Sequence, residues 1–447
     1  MRKVFIETLG CPKNQIDSEM MLGIMNKEGY EIADYPEEAH VIIINTCGFI
    51  ESATEESIMT ITEFINYKEI GECEIFIVSG CLVEKNSEEL KEALPEVDIF
   101  IGTTKFPLIV GAIQSFEAGH EPLVNIGDID ILIPENLPRI KQTPSYTAYL
   151  KISEGCDNNC TYCVIPQLRG KYRSRKKEDI IAEAKELVAE GAKEIIVIAQ
   201  DTIRYGQDIY GAYLLPELLR EICQIEDLKW LRLMYAYPDK INDELIQVYK
   251  EEDKLVKYID MPIQHGSNSV LKRMNRRTSQ EEIRTVVEKF KAAIPNMIIR
   301  TTIIVGFPGE TEDEFKDLCN FVQEMKFGRL GVFTYSQQVG TPAAKMKDQI
   351  DEDVKINRQN TILELQQYIA NETHSKFYDQ VIEVLIEEKV DNEDVYMGRA
   401  SFDAPEIDGL VYVNTKSSLN VGDIVRVHIT DYMEYDLIGG LENELSQ

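Results

Sequence analysis

The sequence predicts an α/β protein in three parts. These are an N-terminal parallel α/β domain, an open partial barrel of six βα units, and a small antiparallel β-barrel at the C-terminus. Three observations carry this reading. Short apolar runs alternate with helical spacing through the first third, and the same alternation returns six times between about 146 and 340. Beyond 374 the pattern becomes short, alternating, β-branched runs with Gly and Asn turns between them. Strands alternating with helices imply a parallel sheet. A closed eight-unit barrel takes about 250 residues, so six units suit an open one.

In order along the chain, KVFIETLG is a strand ending at Gly10. Helical spacing at Met21, Ile24 and Met25 places a helix from Ser18 to Gly29, with Gly29 in the C-cap position. HVIIINTCGF (40–49) and EIFIVSGCL (74–82) are buried-strand runs closing at Cys47 and Cys81. Residues 1–120 form this first domain. Prolines at 122, 134, 138 and 144 and weak periodicity mark 121–143 as a linker. The barrel then occupies 144–374, with strands TAYLKI (147–152), EIIVIA (194–199), LRLMYAY (231–237), YIDMPI (258–263), MIIRTTIIVG (297–306) and LGVFTYS (330–336). One intervening helix shows Ile180, Ile181, Ala184, Leu187 and Val188, closed by Gly191. Thr311 to Glu314 is a capping box, and a polar helix follows over about 352–374. Residues 375–447 hold QVIEVLIEE, DVYMGRAS, GLVYVN and DIVRVHITDYMEYDLIG, a barrel of OB-like size.

Composition narrows the function classes. Of 447 residues, 28% are charged and 44% hydrophobic, an ordinary globular balance. No window approaches the 18 or so apolar residues of a membrane span, and the first apolar run is short for a secretory signal. The 47 basic and 78 acidic residues give a net charge of −31. A protein that grips nucleic acid through phosphates normally shows a basic footprint, so a basic or small partner is expected. Nine cysteines, an odd number in a long chain, point to a reduced cytoplasmic compartment and to metal rather than disulfides.

Two cysteine constellations carry chemistry. Cys156-x3-Cys160-x2-Cys163 lies in the loop after the first barrel strand, at the mouth where such folds place their chemistry. Three thiolates at this spacing can wrap a cubane iron–sulfur cluster that four would saturate, leaving one iron open. The alternative, a zinc knuckle, needs a fourth ligand, and the nearest histidine in sequence is His120. Cys11, Cys47 and Cys81 each close or follow a strand beside Gly or Pro, and in a parallel sheet those ends share one edge. The alternative there is three small buried apolar residues. Cys73, Cys223 and Cys319 lack partners and read as structural. Gly306-Phe307-Pro308-Gly309 on its own reads as a tight strand-to-helix turn, and Gln200 as a polar strand end.

The C-x3-C-x-aromatic-C loop resembles that of the radical S-adenosylmethionine (SAM) enzymes. The resemblance implies SAM chelated at the open iron and split to a deoxyadenosyl radical. It also puts Tyr162 beside the adenine and a SAM-contacting role on VGFPGET (305–311), through Gly306, Pro308 and Gly309, with Gln200 as a further cofactor candidate. With the second triad and the terminal barrel, the whole chain resembles the methylthiotransferases, whose last domain is a TRAM barrel. That implies two 4Fe–4S clusters, SAM, an electron donor, a sulfur donor and no catalytic residue beyond the cluster ligands. Within that family CPKNQIDSE (11–19), NTCGFIESATEESI (45–58), DMPIQHGSNSVLKRMNR (260–276) and GRASFDAPEIDG (398–409) resemble the RimO type. That type methylthiolates the β-carbon of an aspartate in small-subunit ribosomal protein S-twelve. The MiaB-like type, which modifies tRNA adenosine, would more usually show Gln-Met after the first cysteine and Val-Arg after the second; here Pro12-Lys13 and Gly48-Phe49-Ile50 stand there. A tRNA-modifying enzyme and, more distantly, a non-catalytic cluster protein that docks through its barrel are the rivals.

Charge favours a protein substrate. Residues 375–447 hold 5 Lys/Arg and 16 Asp/Glu, a net −11, where an RNA-binding barrel should be basic. An acidic barrel suits docking of a basic ribosomal protein, the alternative being a surface that only aids solubility. One basic strip, QLRGKYRSRKK (167–177), follows the cluster loop. Arg169, Lys171, Arg173, Arg175, Lys176 and Lys177 could neutralise the carboxylates of SAM or of the target, with rRNA contact at most secondary.

Overall fold

Runs such as VIIINT and IFIVSG are apolar on both faces, which suits only a strand covered on both sides. In the computed structural model, which describes residues 2–119 and 123–444, they form the centre of a six-stranded sheet. His120 and Pro122 lie outside the described residues. The strand order is Glu31–Ile32, Lys3–Thr8, Val41–Thr46, Ile75–Gly80, Ile99–Ile101, Leu123–Asn125, and every pairing is parallel. The helix expected from residue 18 runs over Pro12–Lys27. Its first turns bury Lys13, Asn14, Asp17, Ser18 and Glu19, so the buried face there is polar and leaves no apolar period to read. The linker expected over 121–143 opens with a strand of this sheet, Leu123–Asn125. Further on it runs along the Pro12–Lys27 helix, where Ile140 N–H donates to Glu19 O at 2.9 Å. A Cβ on Gly23 would stand 2.1 Å from Pro138 O, so only glycine admits that approach.

Six parallel strands follow in sequential order: Thr147–Lys151, Glu194–Ile198, Trp230–Leu233, Leu255–Asp260, Ile298–Val305 and Arg329–Thr334. The first and last do not pair, so the barrel is open. Ala148, Leu150, Ile195, Val197, Leu231 and Leu233 face the helices. The opposite face, with Tyr149, Ile196, Ile198 and Tyr258, shares one core with Met20 and Met21 of the N-terminal helix and with Val384, Leu385 and Phe402 of the last domain. The third strand stops at Leu233, short of the expected 237, because Tyr235 adopts a left-handed φ of +59°. Thr311 and Glu314 form the expected capping box, and the polar helix spans Glu352–His374.

The last domain is a closed five-stranded barrel, ordered Val381–Lys389, Val395–Ala400, Val411–Asn414, Leu437–Leu441, Ile424–Tyr432. Its pairings are antiparallel except that of Val411–Asn414 with Leu437–Leu441, which is parallel and corrects the all-antiparallel expectation. It is anchored to the core by buried charges. Glu194 takes Arg232 Nε at 2.8 Å and Arg399 Nη2 at 2.6 Å, and Asp403 takes Arg329 Nε at 2.8 Å. Among the described residues, no helix is long and apolar enough to cross a membrane.

Candidate active site

The three strand-end cysteines of the first domain come together. Cys47 follows strand Val41–Thr46, Cys81 opens the helix after Ile75–Gly80, and Cys11 caps Pro12–Lys27. Gly10, at φ +90°, lies so close that a Cβ there would be 2.7 Å from Cys47 Cβ and 3.0 Å from its Sγ. Across the site, a Cβ on Gly48 would stand 2.9 Å from Leu82 Cα. Asn14 ties the loops together: its Nδ2 donates to Leu9 O and Thr46 O at 3.0 Å, and its Oδ1 lies 3.7 Å from Cys81 Sγ. Burial pushes the Cys81 thiol up to about 12, opposed by the nearby Arg169 guanidinium and reinforced by Cys11 and Cys47. Burial also raises Cys47.

The second triad is held by its own loop. Cys156 N–H donates to Gly170 O at 3.1 Å, Cys163 N–H to Cys160 O at 3.0 Å, and Ile165 N–H to Cys163 Sγ at 3.4 Å. Gly155 (φ +76°) makes the turn possible, since a Cβ would meet Lys171 O at 2.0 Å. Arg276 Nη1 stands 3.9 Å from Cys160 Sγ, with its guanidinium 3.7 Å above the Tyr237 ring. Burial lifts Cys156 to about 12, and raises Cys163 further with the help of its two sister thiols. All six thiols are unpaired.

Three thiols at each site are a donor set that a cubane would accept, one thiolate per iron. Buried thiols must lose their protons to bind metal, and clustered positive charge is what makes that possible. Among the described residues, no three Cys, His, Asp or Glu side chains gather to hold one metal ion.

The other expected residues divide. Tyr162 is half-buried and packs with Phe307, Tyr335 and Met274, so the VGFPGET turn does reach the cysteine loop, through Phe307. The glycines beside it have other neighbours. A Cβ on Gly306 (φ +71°) would be 2.2 Å from Lys355 Cγ, while Gly309 N–H donates to Asp348 O at 2.7 Å and Gly309 O accepts from Arg273 at 3.1 Å. Pro308 lies between them. Gln200 is half-buried: its Nε2 donates to Glu154 Oε1 at 2.5 Å, and its buried Oε1 has no partner among the described residues. Nearby, Asn158 Nδ2 donates to Asp201 Oδ2 at 2.8 Å, and Asn158 Oδ1 and Asp201 Oδ1 are also buried without partners. Such orphaned oxygens at a barrel mouth are acceptors awaiting a polar ligand.

The basic strip is corrected. Arg169 turns towards the first domain, where it lies near Cys81 and Cys11. Its Nη1 donates to Asp17 Oδ2 at 2.7 Å and Glu154 Oε2 at 3.3 Å, and its Nη2 to Asn14 Oδ1. Lys151 completes this buried group at 2.7 Å from Asp17 and 2.9 Å from Glu154. Arg175 pairs with Glu135 and Glu183, and Lys177 with Glu217 and Glu221. Acids elsewhere in the chain thus pair with Arg169, Arg173, Arg175 and Lys177 of the strip. Asn14, Asp17, Glu154 and Tyr235 were not singled out from the sequence, where nothing local marks these polar residues as buried.

Comparisons with known proteins agree with this layout. Residues 3–102 match the family described as uncharacterized protein family UPF0004, 150–322 the radical SAM superfamily, and 380–441 the TRAM domain. A ribosomal protein uS12 methylthiotransferase RimO of Clostridioides difficile is 52% identical over 446 residues, spanning 100% of each chain. The protein of that name from Caldanaerobacter subterraneus is 52% identical over 98% of this chain and 100% of its own. Among solved structures, the radical SAM methyltransferase TsrM of Kitasatospora setae, with cobalamin and a 4Fe–4S cluster bound, superposes with a TM-score of 0.59. It is 13% identical over 76% of this chain and 74% of its own, a likeness of fold alone.

Proposed function

The chain belongs to the ribosomal protein uS12 methylthiotransferase family, and from that premise we propose how its own residues carry the reaction. It is a radical SAM transferase that methylthiolates uS12, with iron–sulfur clusters and SAM as cofactors. Cys156, Cys160 and Cys163 hold one 4Fe–4S cluster, and Cys11, Cys47 and Cys81 the other. When bound, the first with SAM would supply a radical able to open an unactivated C–H bond, and the second would carry or deliver the sulfur, chemistry beyond acid–base side chains.

The protein's part is positioning. Arg276, close to Cys160 Sγ, offsets the negative charge of that thiolate set. Tyr162 and Phe307 wall the SAM side, and the unpartnered oxygens of Asn158, Gln200 and Asp201 accept hydrogen bonds from SAM. The remaining residues of the VGFPGET turn, Gly306, Pro308 and Gly309, shape that wall from behind. The single observation that carries the reading is the Asn14–Asp17–Arg169–Glu154 bridge, which joins the helix that Cys11 caps to Glu154, two residues before Cys156 at the barrel mouth. A common target side chain can then face both.

For docking, Glu383, Glu388, Asp391, Glu393 and Asp394 are exposed on the terminal barrel. They suit a basic ribosomal protein in the cytoplasm. The electron donor and the sulfur donor come from outside the chain. Anaerobic reconstitution with SAM, reductant, sulfide and purified uS12, followed by mass spectrometry, tests the assignment. Wild type should yield methylthioaspartate, and Cys47→Ala and Cys160→Ala none.

A further inference from the structure

A buried ammonium without a carboxylate is rare, because desolvation is costly and only a partner offsets it. Lys13 is such a group. It is 6% exposed, and its Nζ makes no hydrogen bond or ion pair among the described residues; its close contact is the Tyr235 ring, 2.9 Å from the centroid. Every neighbouring cation is satisfied: Lys151 and Arg169 by Asp17 and Glu154, Arg300 by Asp260 at 2.8 Å, Arg204 by Asp201 at 3.0 Å. The acids nearest Lys13 are already engaged. Asp260 takes Arg300 and Tyr235 N–H, and Glu154 takes Lys151, Arg169 and Gln200.

We propose that Lys13 reads the target carboxylate, its ammonium pairing with the side chain of the aspartate to be modified. The inference rests on the uS12 reading above. Place supports it. Lys13 follows Cys11 by two residues on the first domain's helix, while Tyr235 and Asp260 stand at the C-terminal ends of barrel strands. The side chain that must meet both thiol sets has to lie at that boundary. Tyr235 is held for the purpose in a left-handed backbone (φ +59°), its N–H donating to Asp260 Oδ2 at 3.0 Å and its O accepting from Thr202 N–H at 3.1 Å. Strain of this kind persists where surrounding structure enforces it, commonly at functional sites. The ring gives the ammonium a resting contact when the site is empty of substrate, and an arriving carboxylate adds a charge-assisted hydrogen bond. An adenosine brings no carboxylate to this ammonium.

The test uses the reconstituted holoenzyme, intact uS12, and uS12 with the target aspartate changed to asparagine, comparing Kd for the two. Wild type should prefer the aspartate form by about ten- to a hundredfold, the worth of one hydrogen bond to a charged group. Lys13→Met should bring the ratio close to one, and Lys13→Arg should retain a preference. Iron content reports that each variant is loaded, and Lys13→Gln repeats the measurement if the methionine variant loses its clusters. A wild-type preference that survives in Lys13→Met and Lys13→Gln overturns the role of Lys13 alone. Wild type that binds neither form overturns the uS12 reading beneath it.

Discussion

Arg169 is a charge whose worth lies in its partners. Breaking a buried pair by removing one member typically costs about 3–5 kcal/mol, because the other charge stays behind. Arg169→Met leaves Asp17 and Glu154 with Lys151 alone, so we expect a loss of that order in chemical denaturation, together with poorer loading of the Cys11, Cys47 and Cys81 site. Arg169→Lys should recover only part of it, since a point charge cannot span Asn14, Asp17 and Glu154 at once. Gly10 is the second test at this scale. With φ +90° and 2.7 Å from an added Cβ to Cys47 Cβ, Gly10→Ala should cut iron content towards half, the second triad staying loaded. Iron analysis checks this; a full complement in that variant would contradict the convergence of the three cysteines on one cluster. The sequence does show Arg169 as part of a basic strip, yet its role was illegible there. Its partner Asp17 is 152 residues away, and no local pattern records which acid folds onto which base.

At the scale of elements, what was local was legible. The helix Glu352–His374, the Thr311–Glu314 capping box and the six barrel strands follow from period, caps and turn residues within a short window. The polar start of Pro12–Lys27 was hidden because its buried face answers to the charges of another domain. The parallel pairing of Val411–Asn414 with Leu437–Leu441 was hidden because register between distant strands leaves no trace in either one. One junction between elements has a pH dependence. His374 ends the long helix fully buried, its Nδ1 3.0 Å from Met433 O of the terminal barrel. Burial, with Arg329 nearby, lowers its pKa from 6.5 to about 4. Between those values the unfolded chain binds the proton and the folded chain does not, so stability is full above about 6.5 and declines as pH falls to about 4. The loss amounts to about 3 kcal/mol at most. Thermal unfolding at neutral and acid pH should show a decline that His374→Asn largely removes; an unchanged slope in that variant would place the acid sensitivity elsewhere.

Over the whole molecule, the three domains act as one frame. Buried ion pairs at Glu194 and Asp403 fix the terminal barrel to the core, and the Arg169 group fixes the first domain to the same mouth. The acid surplus divides accordingly: Asp403 and Asp408 serve the fold, while Asp391, Glu393 and Asp394 are exposed. Exposed charges act mainly on encounter and are screened over about 8–10 Å at physiological salt. Association with uS12 should therefore slow with rising ionic strength, and Asp391→Asn, Glu393→Gln and Asp394→Asn together should flatten that dependence in a stopped-flow measurement. The most direct test of the account remains the product itself. Purified uS12 and purified tRNA, each incubated anaerobically with the reconstituted enzyme, SAM, a reductant and sulfide, are read by mass spectrometry. The account predicts a methylthio group on one aspartate of uS12, lost in both Cys47→Ala and Cys160→Ala. A methylthiolated tRNA adenosine with unmodified uS12, or product from Cys47→Ala at the wild-type rate, would contradict it.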